Sequence, residues 1–471
     1  MLDHALLDRL IKAYDVRGIV PDDLDTDIAR LVGAAFVRVV GASRADGGPG
    51  TVVVGRDMRP SGPDLVAAFA EGVTSQGCDI LEIGLASTDQ LYFAAGSMGL
   101  PGAMFTASHN PAQYNGIKLC RVGASPVGQD TGLSEIKALI GQWSVSGVPA
   151  CDLPVGTIAE RDVLTEYAAF LNALVPLAGS RHLNVVVDAG NGMGGHTVPA
   201  VLVGLPLSVS PLFFELDGTF PNHEANPIEP ENLRDLQRAV LDQGADIGLA
   251  FDGDADRCFV VDERGGIVDP STLTALIAVR ELAKDPGSSI IHNLITSAAV
   301  PEIVREHGGV PIRTRVGHSF IKARMAETGA VFGGEHSGHF YFRDFWRADS
   351  GMLAALHVLA ALGETPEGTT LSSLLADYTR YVSSGEINTT VADQSAAIER
   401  IRSEFGTRPG IEFDDLDGLT VAGISASGAR WWFNVRASNT EPLLRLNVEG
   451  ADSALMEAVR DEALALIRGV S

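Results

Sequence analysis

Three aspartates stand at alternate positions, Asp252, Asp254 and Asp256, in the stretch IGLAFDGDADRCFVVDERG. Apolar, strand-like runs flank them on both sides. Three carboxylates this close repel one another unless water solvates them or a hard cation holds them. In a tight turn an i, i+2, i+4 spacing aims three oxygens at one point. Mg²⁺ suits such a point, since it accepts carboxylates together with a phosphate oxygen and keeps other sites for water or substrate.

Other readings of the triplet stay open on these residues alone. A solvated acidic turn is one. An EF-hand is another: Glu263 falls at the twelfth position, but Arg257 stands at the sixth where the loop needs Gly, and the flanks read as strands. A haloacid-dehalogenase-type site would make Asp252 a nucleophile, yet it normally has Thr or Val where Asp256 stands.

A second cluster is TASHNP, residues 106–111, which holds Ser108 and His109 without a nearby His–Asp relay of the hydrolytic kind. Lys118, in NGIKL, follows ten residues later. RASNTEPLLRL (436–446) combines Arg436 with Ser438, Asn439 and Thr440: a guanidinium fork, two hydroxyls and an amide fit to cradle a phosphate dianion. GGEHSGH (333–339) sets Glu335, Ser337 and His339 among glycines, a pattern suited to vicinal sugar hydroxyls. AYDVRG supplies Tyr14 and Arg17, and TRVGHSFIK supplies Arg315 and His318. Taken singly, each of these also reads as a turn, a hairpin loop or a solvated surface charge.

These residues need a scaffold, and the rhythm of the chain describes one. TVVVG (51–55), DILEIG (79–84), LNVVVD (183–188) and SSIIHN (288–293) are short β-branched runs followed by amphipathic ones, which implies βαβ units. The expected fold is α/β: three similar mixed-sheet α/β domains, over 1–150, 151–265 and 266–370, and a smaller α+β domain with antiparallel hairpins over 371–471. The apolar stretch TVPAVLVGLPLSVSPLFF (197–214) contains three prolines and reads as helix end, loop and buried strand rather than a membrane span. With 471 residues, several cores are expected. A net charge of −25 argues against nucleic acid or an anionic membrane as partner. Four dispersed cysteines without a CxxC pair, and a start without a long apolar run, point to a reduced, cytoplasmic protein.

TASHNP, DGDADR, GEHSGH and RASNTEP, in this order, resemble the α-D-phosphohexomutase superfamily over essentially the whole chain. The combination of TASHNP with GEHSGH looks like the phosphomannomutase/phosphoglucomutase branch, and VGHSFIK with GGEHSGHFYFRDFW like its actinobacterial-type phosphomannomutases. The resemblance implies four domains around a central cleft. It implies interconversion of mannose 6-phosphate and mannose 1-phosphate, and of glucose phosphates in many members, through a phosphoserine and a hexose 1,6-bisphosphate. Ser108 corresponds to the phosphoserine, with Mg²⁺ held by Ser108, Asp252, Asp254 and Asp256. Lys118 is then the candidate acid or base, with His109, Arg257, Arg17 and His339 assisting. Arg436, Ser438, Asn439 and Thr440, with help from Tyr14 and Arg315, would hold the non-reacting phosphate, Glu335 and Ser337 the sugar, and His318 would also bind substrate. The partners are small hexose phosphates, and the chain is a monomer or a dimer. A metal-dependent phosphatase, a glucose-preferring mutase and a silent sugar-phosphate binder are the rival readings.

Overall fold

The computed structural model describes residues 4–41, 50–437 and 443–469, with the side chains of His318 and Ser319 excepted. The chain divides into two units. The first runs up to Pro270 and includes Ser337–Leu374; the second comprises Ser271–His336 and the chain from Leu375.

In the first unit, Thr51–Arg56 lies between Gly102–Phe105 and Asp79–Leu85, parallel to both. Val52, Val53 and Val54 are all buried, so this strand reads as a continuous apolar run because both of its faces are covered. Tyr114–Arg121 adds antiparallel to Gly102–Phe105, and Val16–Ile19 antiparallel to Tyr114–Arg121. The sheet is therefore mixed. Helices Thr26–Val40 and Gly62–Ser75 pack against each other, and residues of both join the same buried cluster as Val52, Val54 and Phe105.

A second mixed sheet has Leu183–Asp188 parallel to both Leu207–Leu212 and Ile247–Phe251. Cys258–Asp262 turns back antiparallel on Ile247–Phe251. The strand expected to be buried near residue 210 is Leu207–Leu212, and it is half-exposed. It lies at the edge of its sheet, so only one side is paired and its faces are not both covered. Pro211 fits there, because an edge strand leaves one side without ladder bonds. Helix Gly351–Gly363, apolar but for His357, is buried at all thirteen positions, as expected of a helix enclosed on every side. It packs on strand Cys258–Asp262 and helix Leu164–Leu174.

In the second unit, Ser289–Asn293 is parallel to Val310–Thr314 and to Phe332–Gly334, with helices Ala299–Glu306 and His318–Thr328 in the connections. The C-terminal part is an antiparallel sheet in the order Val382–Thr390, Leu443–Gly450, Arg430–Ala437, Leu419–Ile424, Glu412–Asp414. Helix Gln394–Gly406 is capped by Asp393, whose side chain accepts from Ala396 N. It buries Ala397, Ile401 and Phe405, one residue per turn, and Phe405 meets Phe433 edge-on with centroids 5.1 Å apart.

Candidate active site

Two loops at the ends of strands build the site within the first unit. Strand Gly102–Phe105 runs into Thr106, Ala107 and Ser108, and strand Ile247–Phe251 runs into Asp252. In open α/β sheets such carboxyl ends are where ligands bind. The antiparallel pairing of Phe251 with Cys258 turns residues 252–257 into a hairpin loop, with Ala255 in the left-handed region at φ +58°. This is why the alternate aspartates converge. Gly253 lets the two loops meet: a Cβ there would lie 2.5 Å from the Ser108 carbonyl oxygen. Ser108 itself is left-handed at φ +50°, a strained conformation for a residue other than glycine.

Ser108 is 4% exposed, and its hydroxyl donates to Asp252 Oδ2 at 2.8 Å. His109 Nδ1 lies 3.2 Å from the same hydroxyl. Arg257 donates from Nε to Asp252 Oδ2 (2.9 Å) and from its backbone N–H to Asp252 Oδ1 (3.1 Å). Lys118, opposite Met104 on the neighbouring strand, places Nζ 2.7 Å from Asp254 Oδ2 and 2.6 Å from Asp256 Oδ2. Thr88, which heads helix Thr88–Met98, donates to Asp254 Oδ2 at 2.6 Å. His339 Nδ1 sits 3.0 Å from Asp349 Oδ2 and 3.8 Å from Asp256 Oδ1. Arg17 donates to Asn110 Oδ1 at 2.8 Å and pairs with Asp15.

The charges are set by this geometry. Burial pushes the Asp252 carboxyl up to about 7, with Asp256 and Asp254 adding to it and Arg257 opposing. Burial would raise Asp254 too, but the Lys118 charge and the hydrogen bonds of Lys118 and Thr88 hold it well below the usual carboxylate range. Burial opposes charge on Lys118, and the two carboxylates beside it outweigh burial, so it stays protonated. His109 is depressed by burial and then by Arg257 and Arg17, which keeps its ring neutral. For His339 the two carboxylates overcome burial and raise it.

Each aspartate of the triplet offers one oxygen within 4.8 Å of the others, and Asp256, His339 and Asp349 form a second such group. Asp254 Oδ1 and Asp256 Oδ1 are buried and accept no hydrogen bond, although the second oxygen of each is held by Lys118. Two unused anionic oxygens beside a carboxyl that burial holds partly protonated are what a hard divalent cation satisfies. The residues fit such an ion. Arg257 Nη2 and Arg17 Nε are also buried without a hydrogen-bond partner, which leaves cationic donors available to an anion.

The remaining predicted residues lie as follows. Tyr14 is half-buried in the turn before Val16–Ile19, and Ser337 is half-buried in the first unit. In the second unit, Glu335 is buried and its Oε1 accepts from Gly317 N (3.1 Å) and Asn293 Nδ2 (3.3 Å). Arg315 is exposed with its guanidinium 4.9 Å from the Phe320 ring centroid, and His318 begins helix His318–Thr328. Arg436 donates to Glu386 at 2.9 Å, and Arg445 reaches the same carboxylate at 3.3 Å. Ser438, Asn439 and Thr440 lie outside the described residues. Sequence reasoning passed over Thr88, Asp349, Glu386 and the pair Asp57 and Arg59. A polar residue directly after an apolar strand, as in VVVGRD, was the one signal available for the last pair.

Comparison with known proteins agrees with this architecture. Four family models match in order: phosphoglucomutase/phosphomannomutase α/β/α domain I over residues 8–144, domain II over 165–266, domain III over 269–381 and the C-terminal domain over 386–466. A phosphomannomutase of Escherichia coli is 40% identical, with 97% of this chain and 98% of that protein covered. A phosphomannomutase/phosphoglucomutase of Pseudomonas putida is 36% identical, covering 98% and 96%. The crystal structure of a phosphoglucomutase/phosphomannomutase family protein from Burkholderia thailandensis superposes with a TM-score of 0.86 at 33% identity, covering 99% of this chain and 98% of that one. The chain thus belongs to the phosphoglucomutase/phosphomannomutase family of the α-D-phosphohexomutase superfamily, and it is a phosphohexomutase, an intramolecular phosphotransferase.

Proposed function

We propose that this phosphohexomutase interconverts mannose 6-phosphate and mannose 1-phosphate and also accepts the glucose phosphates, with Ser108 as the phosphoryl carrier. The observation that carries the reading is the Ser108 hydroxyl. It sits strained and buried, 2.8 Å from Asp252, close to the carboxylate triplet, and among the described residues no carboxylate is hydrogen-bonded to His109 as a hydrolytic relay requires. The names of the relatives support both sugars, since they include phosphomannomutase and phosphomannomutase/phosphoglucomutase.

In this reading phosphoserine 108 donates to a free hydroxyl of the bound hexose phosphate. The new bond joins the sugar oxygen to phosphorus, and the bond from phosphorus to Ser108 Oγ breaks. A hexose 1,6-bisphosphate results, and after it turns over its other phosphate returns to Ser108. The proton of the attacking hydroxyl must leave and Oγ must gain one. Neutral His109, 3.2 Å from Oγ, is an acceptor and cationic Lys118 a donor of suitable charge. Arg257 Nη2 and Arg17 Nε, buried without hydrogen-bond partners, would supply donors to the transferring group. Mg²⁺ held by Asp252, Asp254 and Asp256 would offset charge at phosphorus. Arg436, with Ser438, Asn439 and Thr440, grips the phosphate that is not transferred, and Glu335 and Ser337 read the sugar hydroxyls. Tyr14 and Arg315 are further candidates for that phosphate, and His318 for the substrate.

Intact-mass analysis after incubation with glucose 1,6-bisphosphate tests the reading. One phosphate is expected on the wild type and none on Ser108→Ala. Stoichiometric labelling of the variant, or release of inorganic phosphate matching turnover, would reject it.

A further inference from the structure

Arg59 is the largest fully buried side chain described, and nothing in the mechanism above uses it. It stands three residues beyond strand Thr51–Arg56, in GRDMRP. Its Nη2 donates to the backbone carbonyls of Ser108 (2.8 Å) and Asn110 (2.7 Å). Its Nη1 donates to those of Pro111 (2.9 Å) and Tyr114 (2.8 Å). Asp57, also wholly buried, takes Nε at 3.2 Å and the Arg59 backbone N–H at 2.9 Å, and the Phe220 ring lies 5.2 Å from the guanidinium carbon.

One guanidinium therefore gathers four carbonyls of the stretch 108–114. Three of those carbonyls belong to the loop before strand Tyr114–Arg121 and the fourth to that strand's first residue; the Ser108 carbonyl, in a buried residue outside helix and ladder, most needs a donor from within the protein. Only arginine can serve them all, because its donors form a planar fork, whereas the three donors of lysine radiate from one atom. The stretch they hold carries Ser108, His109 and Asn110, and Ser108 is in the strained left-handed region. The Ser108 carbonyl is also the atom that Gly253 approaches, so the loop of aspartates and Arg59 meet the same backbone group.

We infer that Arg59 is a positioning residue for phosphoryl transfer: it clamps the backbone of 108–114 so that Ser108 Oγ faces Asp252, and Asp57 in turn holds Arg59. The inference rests on Ser108 being the phosphoryl carrier. It differs from a purely stabilising role for a buried ion pair. Stability alone would shift the unfolding midpoint and leave the transfer rate of the folded molecules unchanged. A clamp acts on the rate of transfer and not on the affinity for the hexose phosphate.

The test compares wild type, Arg59→Lys and Asp57→Asn below their unfolding midpoints. Rapid mixing with glucose 1,6-bisphosphate and mass detection give the rate of Ser108 phosphorylation. Calorimetry gives the affinity for glucose 1-phosphate. Misplacement by about 1 Å is enough for a loss of roughly a hundredfold in rate. That loss is expected for Arg59→Lys and a smaller one, on the order of tenfold, for Asp57→Asn, with affinity unchanged in both. A wild-type rate in Arg59→Lys would overturn the inference, as would equal losses of rate and affinity. If Arg59→Lys does not fold, the Asp57→Asn rate decides, and an unchanged rate there refutes the clamp. A wild type that takes no phosphate on Ser108 would instead remove the proposed function beneath it.

Discussion

Replacing Lys118 by methionine keeps much of the side-chain volume and removes the charge. In the structure that charge lies 2.7 and 2.6 Å from two carboxylates that are 0% and 1% exposed. Breaking a buried pair by removing one partner costs about 3–5 kcal/mol, because a buried charge is left uncompensated. At roughly 2–4 °C per kcal/mol for a domain of 150–250 residues, the midpoint of the domain that unfolds should fall by about 6–20 °C in EDTA. The sign with pH follows from Asp254, whose folded value Lys118 helps to depress. Its contribution is present above the unfolded value near 4 and is lost as pH falls through the lower folded value. The gap between wild type and Lys118→Met should therefore be wider at pH 8 than at pH 4. Mg²⁺ should narrow it, since a divalent cation on the free oxygens of Asp254 and Asp256 replaces the missing positive charge. Scanning calorimetry of both proteins, with EDTA and with saturating Mg²⁺, reads all of this. Equal midpoints in EDTA, or an equal upward shift by Mg²⁺ in the two proteins, would show that Lys118 and the cation do not share these carboxylates.

Three further outcomes are expected. Asp89 accepts hydrogen bonds from Tyr167 (2.8 Å), Ser350 (2.6 Å) and Ser87, yet burial pushes it up to about 6. Its ionised form therefore weighs on the native state once pH rises through the folded value. Asp89→Asn should gain on the wild type by up to about 3 kcal/mol between pH 4 and pH 7.5, read from denaturant midpoints, and a pH-independent difference would contradict this. Asp254→Asn turns one anionic ligand neutral, so activity should drop by orders of magnitude and Mg²⁺ affinity should weaken by calorimetry; full activity at limiting Mg²⁺ would show that Asp254 does not hold the ion. Arg436→Ala removes a charge-assisted contact worth about 1.5–3 kcal/mol, so hexose phosphate affinity should fall roughly ten- to hundredfold while binding of unphosphorylated mannose stays unchanged.

What could be read from the sequence alone was local. The alternate aspartates between two apolar runs lie in one hairpin loop, since Phe251 pairs with Cys258. Ser108 and Lys118 are ten residues apart and share a site because consecutive strands, Gly102–Phe105 and Tyr114–Arg121, fold back on each other. Strand runs such as TVVVG and amphipathic helices such as Gln394–Gly406 follow from their apolar periods. The tertiary structure alone decided the support of those residues. Thr88 reaches Asp254 across 166 positions, Ser350 reaches Asp89 across 261, and Arg59 reaches the serine loop across about fifty. None of these belongs to a periodic pattern, and each looks like an ordinary polar residue in a turn. Their roles arise because burial removes water from carbonyls and carboxylates that must then find donors within the protein, and which donors stand nearby depends on how the sheets and helices pack.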